Sequence, residues 1–259
     1  MLFTTLSTLA VVFGTAFAQS KTSITTATYN DLVYYANLNE ATSLSIGSTC
    51  PNPPNGVIAL SYIDTGSGFD DTNVHGVVCL LPQQHRLQFM LVHAGFNVAY
   101  SSAKSMANTA LAAAFKKYPS AALIISGYSL GGAIADLQFA DLIATSSYKI
   151  AAVYTYGEPR TGNQAYANFV DAKSKSTSSN GIYFRVTHAN DPVPRLPPAG
   201  APIDYVHCRT EYWEMSSSAP SASSTYHCFG QEPSDCNEKA SGSNVNDHLS
   251  YAGFAGVTC

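Results

Sequence analysis

Ser129 lies in Gly127-Tyr128-Ser129-Leu130-Gly131, between the apolar run Ala121 to Ile125 and a helical pattern that begins at about Leu130. A serine on a sharp strand-to-helix turn leaves no room for Cβ atoms two residues to either side, so glycine fits at 127 and 131. Such a turn lifts the hydroxyl above a sheet edge. It also aims the first helical N–H groups, starting with that of Leu130, at whatever the serine attacks. The pentapeptide alone is a weak signal; the same residues between a strand and a helix are a much stronger one. The chemistry indicated is nucleophilic attack by Ser129.

A serine hydroxyl is a poor nucleophile at neutral pH. It needs a histidine to take its proton and an acid to orient that histidine. In α/β-hydrolases the chain order is serine, acid, histidine. Asp191 follows the predicted strand Ile182 to Val186, and Pro192 disfavours helical geometry at Asp191, so the carboxylate can project from an extended loop. His248, in Asn246-Asp247-His248-Leu249, is late enough in the chain to reach over the sheet edge to the serine. An Asp before Pro also forms turns on its own account, and His248 also reads as a first-turn helix residue beside an N-capping Asp247. His188, His207 and His227 are alternatives for the base, Glu158 and Asp204 for the acid. Order and position favour Asp191 and His248 and leave the alternatives open.

The elements around these residues alternate. Tyr29 to Ser45 reads as a helix broken by Cys50-Pro51-Asn52-Pro53-Pro54-Asn55-Gly56, and Val57 to Ile63 as a weak strand. Asp64 to Gly76 is loop-like. Val77 to Leu81 and Leu87 to Val92 could be strands, although Gln83-Gln84-His85-Arg86 between them has no turn signature. Phe96, Tyr100, Ala103, Ala107, Leu111, Ala114 and Tyr118 form a helical stripe that Pro119 ends. After the serine come a strand at Ile150 to Tyr156, a helix at Asn163 to Ala172 and a polar loop at Lys173 to Asn180. A strand at Ile182 to Val186, another over Val206 to Trp213, a loop at Ser216 to Thr225 and a terminal helix at Asp247 to Phe254 follow. Strands alternating with helices predict one α/β domain: a mostly parallel sheet with helices on both faces, functional loops beyond the carboxyl ends of its strands. Those loops carry the elbow, Gly157-Glu158-Pro159-Arg160, and His188-Ala189-Asn190-Asp191-Pro192.

The chain has 259 residues and a formal net charge of −4, without a basic cluster, which argues against a nucleic-acid partner. Leu9 to Ala18 is apolar, too short to span a bilayer, and ends in Ala16-Phe17-Ala18. Residues 1–18 therefore read as a secretory signal peptide without a basic n-region, and residues 19–259 as the folded domain. No later run could cross a membrane. Six cysteines in an exported chain favour disulfides. Cys228 and Cys236 would close a small loop, Cys50 and Cys259 would pin the two ends of the mature chain, and Cys79 either pairs with Cys208 or is free. The cysteines form no Cys/His cluster with zinc spacing, and the expected chemistry needs no metal or cofactor.

Several blocks resemble the class 3 lipases, the secreted fungal triacylglycerol lipases and their feruloyl esterase relatives. They are Gly127 to Ala133, Tyr154-Thr155-Tyr156-Gly157-Glu158-Pro159-Arg160-Thr161-Gly162-Asn163, Phe184 to Asp191, Leu196-Pro197-Pro198, Glu211-Tyr212-Trp213 and Asn246-Asp247-His248. The resemblance runs from Val92 to the C-terminus. It implies an α/β-hydrolase fold with Ser129 as nucleophile, Asp191 as orienting acid, His248 as base and the Leu130 N–H as an oxyanion donor. It implies a secreted, monomeric ester hydrolase that meets lipid or a small ester, transiently at a lipid–water interface. Tyr128 stands where the family usually has His, and there it is expected mainly to pack. Gly-Tyr-Ser is also similar to cutinases, but those carry Gln where this chain has Leu130.

Upstream of Val92 the resemblance implies a strand ending in an Arg-Gly-Ser/Thr turn, which donates a second oxyanion N–H, and then a helical lid. Neither is found; Thr65-Gly66-Ser67 is a superficial substitute, and Gly76 to Leu91 is too short for both. Losing one donor costs about 2.7–4 kcal/mol, roughly a hundred- to a thousandfold in rate, so the sequence predicts an impaired enzyme with weakened interfacial activation. Two further readings stay open: a feruloyl- or acetyl-type esterase acting on plant-wall polysaccharide, and a non-catalytic hydrolase-like protein that binds lipid or a surface. Val77 to Leu91 is unlike either flank, which predicts a misjoined segment. Sequencing the transcript checks this: a different reading across Gly76 to Leu91 is expected, and one that reproduces it overturns the prediction.

Overall fold

The computed structural model describes residues 21–36, 74–81, 86–177, 181–200 and 203–253. In chain order its elements begin with β1 (Lys21–Ser23), α1 (Thr26–Ala36), β2 (Val74–Leu81), β3 (Arg86–His93) and α2 (Ala94–Lys117). There follow β4 (Leu123–Tyr128), α3 (Leu130–Thr145), β5 (Ile150–Tyr156), β6 (Gly162–Asn163), α4 (Gln164–Ser174) and β7 (Tyr183–His188). The last are β8 (Tyr205–Val206), β9 (Glu211–Glu214), β10 (Thr225–Cys228) and α5 (Val245–His248).

The main sheet has the order β1-β10-β9-β7-β5-β4. Its β4, β5, β7 and β9 are parallel, and β10 and β1 close one edge antiparallel. Side chains alternate across a strand, and β5 uses both faces. Ala152, Tyr154 and Tyr156 pack with Leu32 and Ala36 of α1, while Val153 packs with Ala133, Leu137 and Phe139 of α3 and Tyr100 of α2. Helices thus cover both faces, as the alternating pattern predicts, in an α/β-hydrolase fold. Phe96, Tyr100, Ala103 and Ala107 of the α2 stripe are buried, and the helix closes at Tyr118, just before Pro119.

Several boundaries differ from the sequence reading. Helix α1 starts before Tyr29 because the Thr25 hydroxyl accepts from the Thr28 N–H (3.1 Å) and caps it. The two doubtful runs pair as an antiparallel hairpin, β2–β3, with Val74 opposite His93. Strand therefore begins inside the Asp64-to-Gly76 loop, and backbone pairing supplies what the intervening sequence does not signal. Val92 continues the pairing to Gly162, in a second sheet ordered β2-β3-β6-β8. The Val206-to-Trp213 strand is two strands in different sheets. Between them the Arg209 N–H is taken by Asp171 Oδ1 (2.6 Å), which pulls the backbone out of register. Strands β1 and β10 carry no sequence signal. Helix α4 runs past Ala172 to Ser174. The terminal helix is the single turn α5, capped by the Asn244 side chain, which accepts from the Asn246 N–H (3.1 Å). Beyond it the chain turns at Gly253 (φ 93°), where a Cβ would meet the Val33 carbonyl at 2.8 Å.

Cys228 and Cys236 form the expected disulfide (S–S 2.02 Å). Cys208 is a free thiol buried in the core beside Asp136 and Glu158, so the pairing of Cys79 with Cys208 is not formed. The signal peptide, Cys50, Cys259, the Val57-to-Ile63 strand and Thr65-Gly66-Ser67 lie outside the described residues. Among the described residues no helix is long and apolar enough to cross a membrane.

Glu214 of β9 is fully buried, with the Ala252 N–H on its carboxylate (3.1 Å). Burial pushes its pKa from 4.5 up to about 7, against smaller opposing effects of that N–H and of His188. The folded state therefore holds a proton that the unfolded chain has lost. Stability from this group is fully present below pH 4.5 and is lost as pH rises through about 7. The amount is on the order of 3 kcal/mol. Urea unfolding of Glu214→Gln should depend less on pH across this window than that of the parent. A difference between the two that is constant with pH would refute the assignment.

Candidate active site

The turn after β4 is held by contacts on three sides. Ser129 adopts φ 55° and ψ −126°, a conformation that a residue with a Cβ rarely takes. Its N–H donates to the Tyr156 carbonyl at the end of β5 (2.8 Å), and its carbonyl accepts from Gly132 (2.8 Å). A Cβ on Gly127 would come within 2.1 Å of the Gly131 carbonyl oxygen, so the strand can pass under the helix start only with glycine there. A Cβ on Gly132 would meet Glu158 at 3.0 Å. Leu130 is the first residue of α3, and no described residue accepts from its N–H, which points out of the helix start as an open donor.

The three residues singled out by chain order come together. Ser129 Oγ is 2.9 Å from His248 Nε2, and His248 Nδ1 is 2.8 Å from Asp191 Oδ2. Asp191 is wholly buried and Ser129 half-buried. Asp191 Oδ2 also accepts the Tyr251 hydroxyl (2.6 Å), while Oδ1 accepts the Val193 N–H (2.8 Å). Both oxygens are thus engaged, and the carboxylate cannot rotate without losing a donor. The Tyr251 hydroxyl stays a donor, because burial and then the Asp191 charge push its pKa well above the usual tyrosine value.

The alternatives for base and acid are engaged elsewhere. His188 is buried, with Nδ1 2.8 Å from the Asp247 carbonyl oxygen and Nε2 2.9 Å from that of Ser216, so neither nitrogen faces the serine. His207 is buried with Nε2 on the Pro194 carbonyl (2.6 Å); burial, then Arg185 and Arg160, lower its pKa well below the ordinary value. His227 stacks on Tyr212 at the far edge of the sheet. Glu158 is a core residue whose carboxylate accepts from Thr155 (2.5 Å), Tyr183 (2.9 Å) and Thr161 (3.1 Å). Asp204 is exposed.

The Gly-Glu-Pro-Arg block instead fixes the loops. Buried Arg160 pairs with Glu232 (2.6 Å) and Glu238 (2.8 Å), and it donates to the carbonyls of Arg195 and Pro197. Its own N–H donates to the Leu196 carbonyl (2.7 Å), so it anchors the segment that follows Asp191. Asp136, Glu158 and Cys208 bring a metal-donor atom each within 4.8 Å of one another. The Glu158 oxygens are occupied by hydroxyl donors, and burial with the neighbouring Glu158 charge pushes the Asp136 carboxyl well above its usual pKa. The trio reads as a buried core cluster in which the Asp136 carboxyl holds its proton beside Glu158. The contribution of Tyr251 was not read from the sequence, which offers only its place three residues after His248.

Known proteins resemble this chain in both sequence and fold. The sequence model of the family described as Lipase (class 3) matches residues 69–201. The chain is 35% identical over 163 residues to secreted mono- and diacylglycerol lipase 1 of Fusarium solani, and 36% identical over 174 residues to a lipase of Rhizomucor miehei. These matches cover 62% and 65% of this chain but 46% and 45% of the relatives, so the chain spans under half the length of the curated relatives it matches. The crystallographically refined Rhizomucor miehei triacylglyceride lipase superposes with a TM-score of 0.65 at 26% identity, over 90% of this chain and 97% of that one.

Gly157 takes φ 58°, and a Cβ there would lie 2.8 Å from His248 Cε1 and 3.1 Å from Asp191 Oδ2. Gly157→Ala should displace the imidazole and slow phosphonate labelling of Ser129 by roughly a hundredfold, the scale of a 1 Å misplacement. Labelling at the parent rate would show that the imidazole is not held there.

Proposed function

We propose that this chain, which belongs to the class 3 lipase family, hydrolyses carboxylic esters of the acylglycerol type by a serine acyl-enzyme route. The observation that carries the reading is the unbroken series Ser129 Oγ to His248 Nε2 (2.9 Å) to Asp191 Oδ2 (2.8 Å), with the Leu130 N–H open beside it. Ser129 attacks the ester carbonyl carbon while His248 Nε2 takes its proton. Asp191 accepts from Nδ1–H and stabilises the imidazolium that forms. The Leu130 N–H, at the positive end of α3, donates to the carbonyl oxygen as it becomes negative. The intermediate collapses as His248 protonates the departing alcohol, which leaves an ester on Ser129. Water then attacks that ester as His248 takes its proton, and the imidazolium returns that proton to Ser129 Oγ as the carboxylic acid departs.

The acylglycerol substrate class and an extracellular location are supported by the relatives named as secreted mono- and diacylglycerol lipases, and contact with a lipid–water interface by the likeness to a fungal lipase solved with an inhibitor as a model for interfacial activation. We take the working unit to be a monomer. Among the described residues the Leu130 N–H is the evident oxyanion donor, and a non-catalytic binding role is the second reading.

The test compares tributyrin with methyl ferulate, using the parent chain and Ser129→Ala. Tributyrin should be the better substrate, and Ser129→Ala should lose at least about a thousandfold in kcat. Preference for methyl ferulate would move the assignment to a feruloyl-type esterase. Equal activity of variant and parent would remove the mechanism. A parent inert toward both esters and unlabelled by a phosphonate would favour the binding role.

A further inference from the structure

His248 sits at the end of α5, which is only one turn long. A single helical turn fixes its residues poorly on its own, and its last carbonyls have no partners within the helix. The backbone around the imidazole is therefore held from outside. Asp247 is tied by the Asn190 N–H to Oδ2 (2.9 Å), by Asn244 to Oδ1 (2.8 Å), and by His188 Nδ1 at its carbonyl (2.8 Å). The carbonyl of His248 itself accepts from the Tyr128 hydroxyl (2.8 Å).

Tyr128 makes a second contact with the same residue. Its ring lies 4.9 Å from the imidazole centroid at an interplanar angle of 27°, on the face of the imidazole. Tyr251 stands edge-on to both rings, 6.3 Å from Tyr128 and 6.5 Å from His248. An aromatic face against an imidazole favours the cation that forms when the ring takes a proton. Burial, and then the charge of Asp191, push the Tyr128 pKa up to about 12, so the hydroxyl remains a donor at neutral and moderately alkaline pH.

We infer that Tyr128 is a positioning residue for the reaction proposed above: its hydroxyl anchors the His248 carbonyl, and its ring backs the imidazole so that Nε2 stays in reach of Ser129 Oγ. The inference rests on the Ser129–His248–Asp191 reading. It goes beyond that reading in giving the residue before the nucleophile a part that packing alone does not require. Removal of the hydroxyl alone, in Tyr128→Phe, frees one end of His248. Removal of the ring as well, in Tyr128→Leu, frees both.

The experiment measures kcat and KM for a short-chain nitrophenyl ester, with kcat expressed per serine titrated by a phosphonate, and the melting temperature of each variant. Tyr128→Phe should lose several-fold in kcat. Tyr128→Leu should lose more, on the order of ten- to a hundredfold, with KM nearly unchanged in both. The graded order, with Phe recovering part of what Leu loses, is the signature of a two-point hold. A residue that only packs would lower the melting temperature and the titrated fraction, but not kcat per titrated site. Unchanged kcat per site in both variants, or a loss confined to KM, overturns the assignment. Tyr128→Phe removes a single oxygen atom and carries the test if Tyr128→Leu does not fold. Ser129→Ala runs in parallel. Activity at the parent level there brings down the mechanism itself; an inactive Ser129→Ala beside unchanged Tyr128 variants brings down only the role of Tyr128.

Discussion

Ser129 can be where it is only because its neighbours give way. A residue with a Cβ at φ 55° costs on the order of 1–3 kcal/mol, and the turn that imposes it leaves Gly127 no space for a side chain. The strain is held on one side by the Tyr156 carbonyl on the Ser129 N–H, and on the other by the start of α3, which packs Gly132 onto Glu158. The loops at the ends of β5 and β7 are then arranged around that turn. Glu158 is satisfied by three hydroxyls beneath it, and Arg160 ties down the stretch that leads away from Asp191. Ser129 is thus placed by backbone, and Asp191 by a loop whose following segment Arg160 anchors.

How much of this was legible in the sequence depends on where the information lies. The elbow was legible because its constraint is local: Gly127 and the strand-to-helix change fall within a few residues, although a Cβ at Gly131, where glycine was also expected for lack of room, would meet nothing within 4 Å. The α2 stripe was legible because a helix repeats its buried face. Asp191 and His248 could be nominated by order, but their contact joins residues 57 apart in the chain, and the Ser129 contact residues 119 apart. Nothing in the periodicity of either segment fixes that. What set aside His188 and His207 was their engagement with carbonyls from other loops, which are spatial neighbours only. Glu158 is held by Thr155 and Thr161, three residues to either side, and by the more distant Tyr183.

The misses have the same origin. Strands β1 and β10 are short, and they exist because each pairs with a neighbour at the sheet edge. The Val206-to-Trp213 run is uniform enough to read as one strand, yet the tie from Arg209 to Asp171 breaks it between two sheets. Cys208 looked available for a bridge and proved to be a core residue. The hydroxyls of Tyr128 and Tyr251 act on His248 and Asp191 from either side, and a tyrosine in sequence does not reveal whether its oxygen will find an acceptor.

The position of α5 carries a consequence for assembly. Residues 245–253 contribute the imidazole, the Tyr251 hydroxyl and the Ala252 N–H that caps Glu214. Tyr128, Ser129, Leu130 and Asp191 all lie well upstream of that segment. A chain emerging N-terminus first therefore has all its sheet strands and its serine turn before His248. Under the proposed mechanism the Ser129 hydroxyl has no base until residues 245–253 dock, and a chain cut just before Asn244 would keep Ser129 and Asp191 with no imidazole beside them.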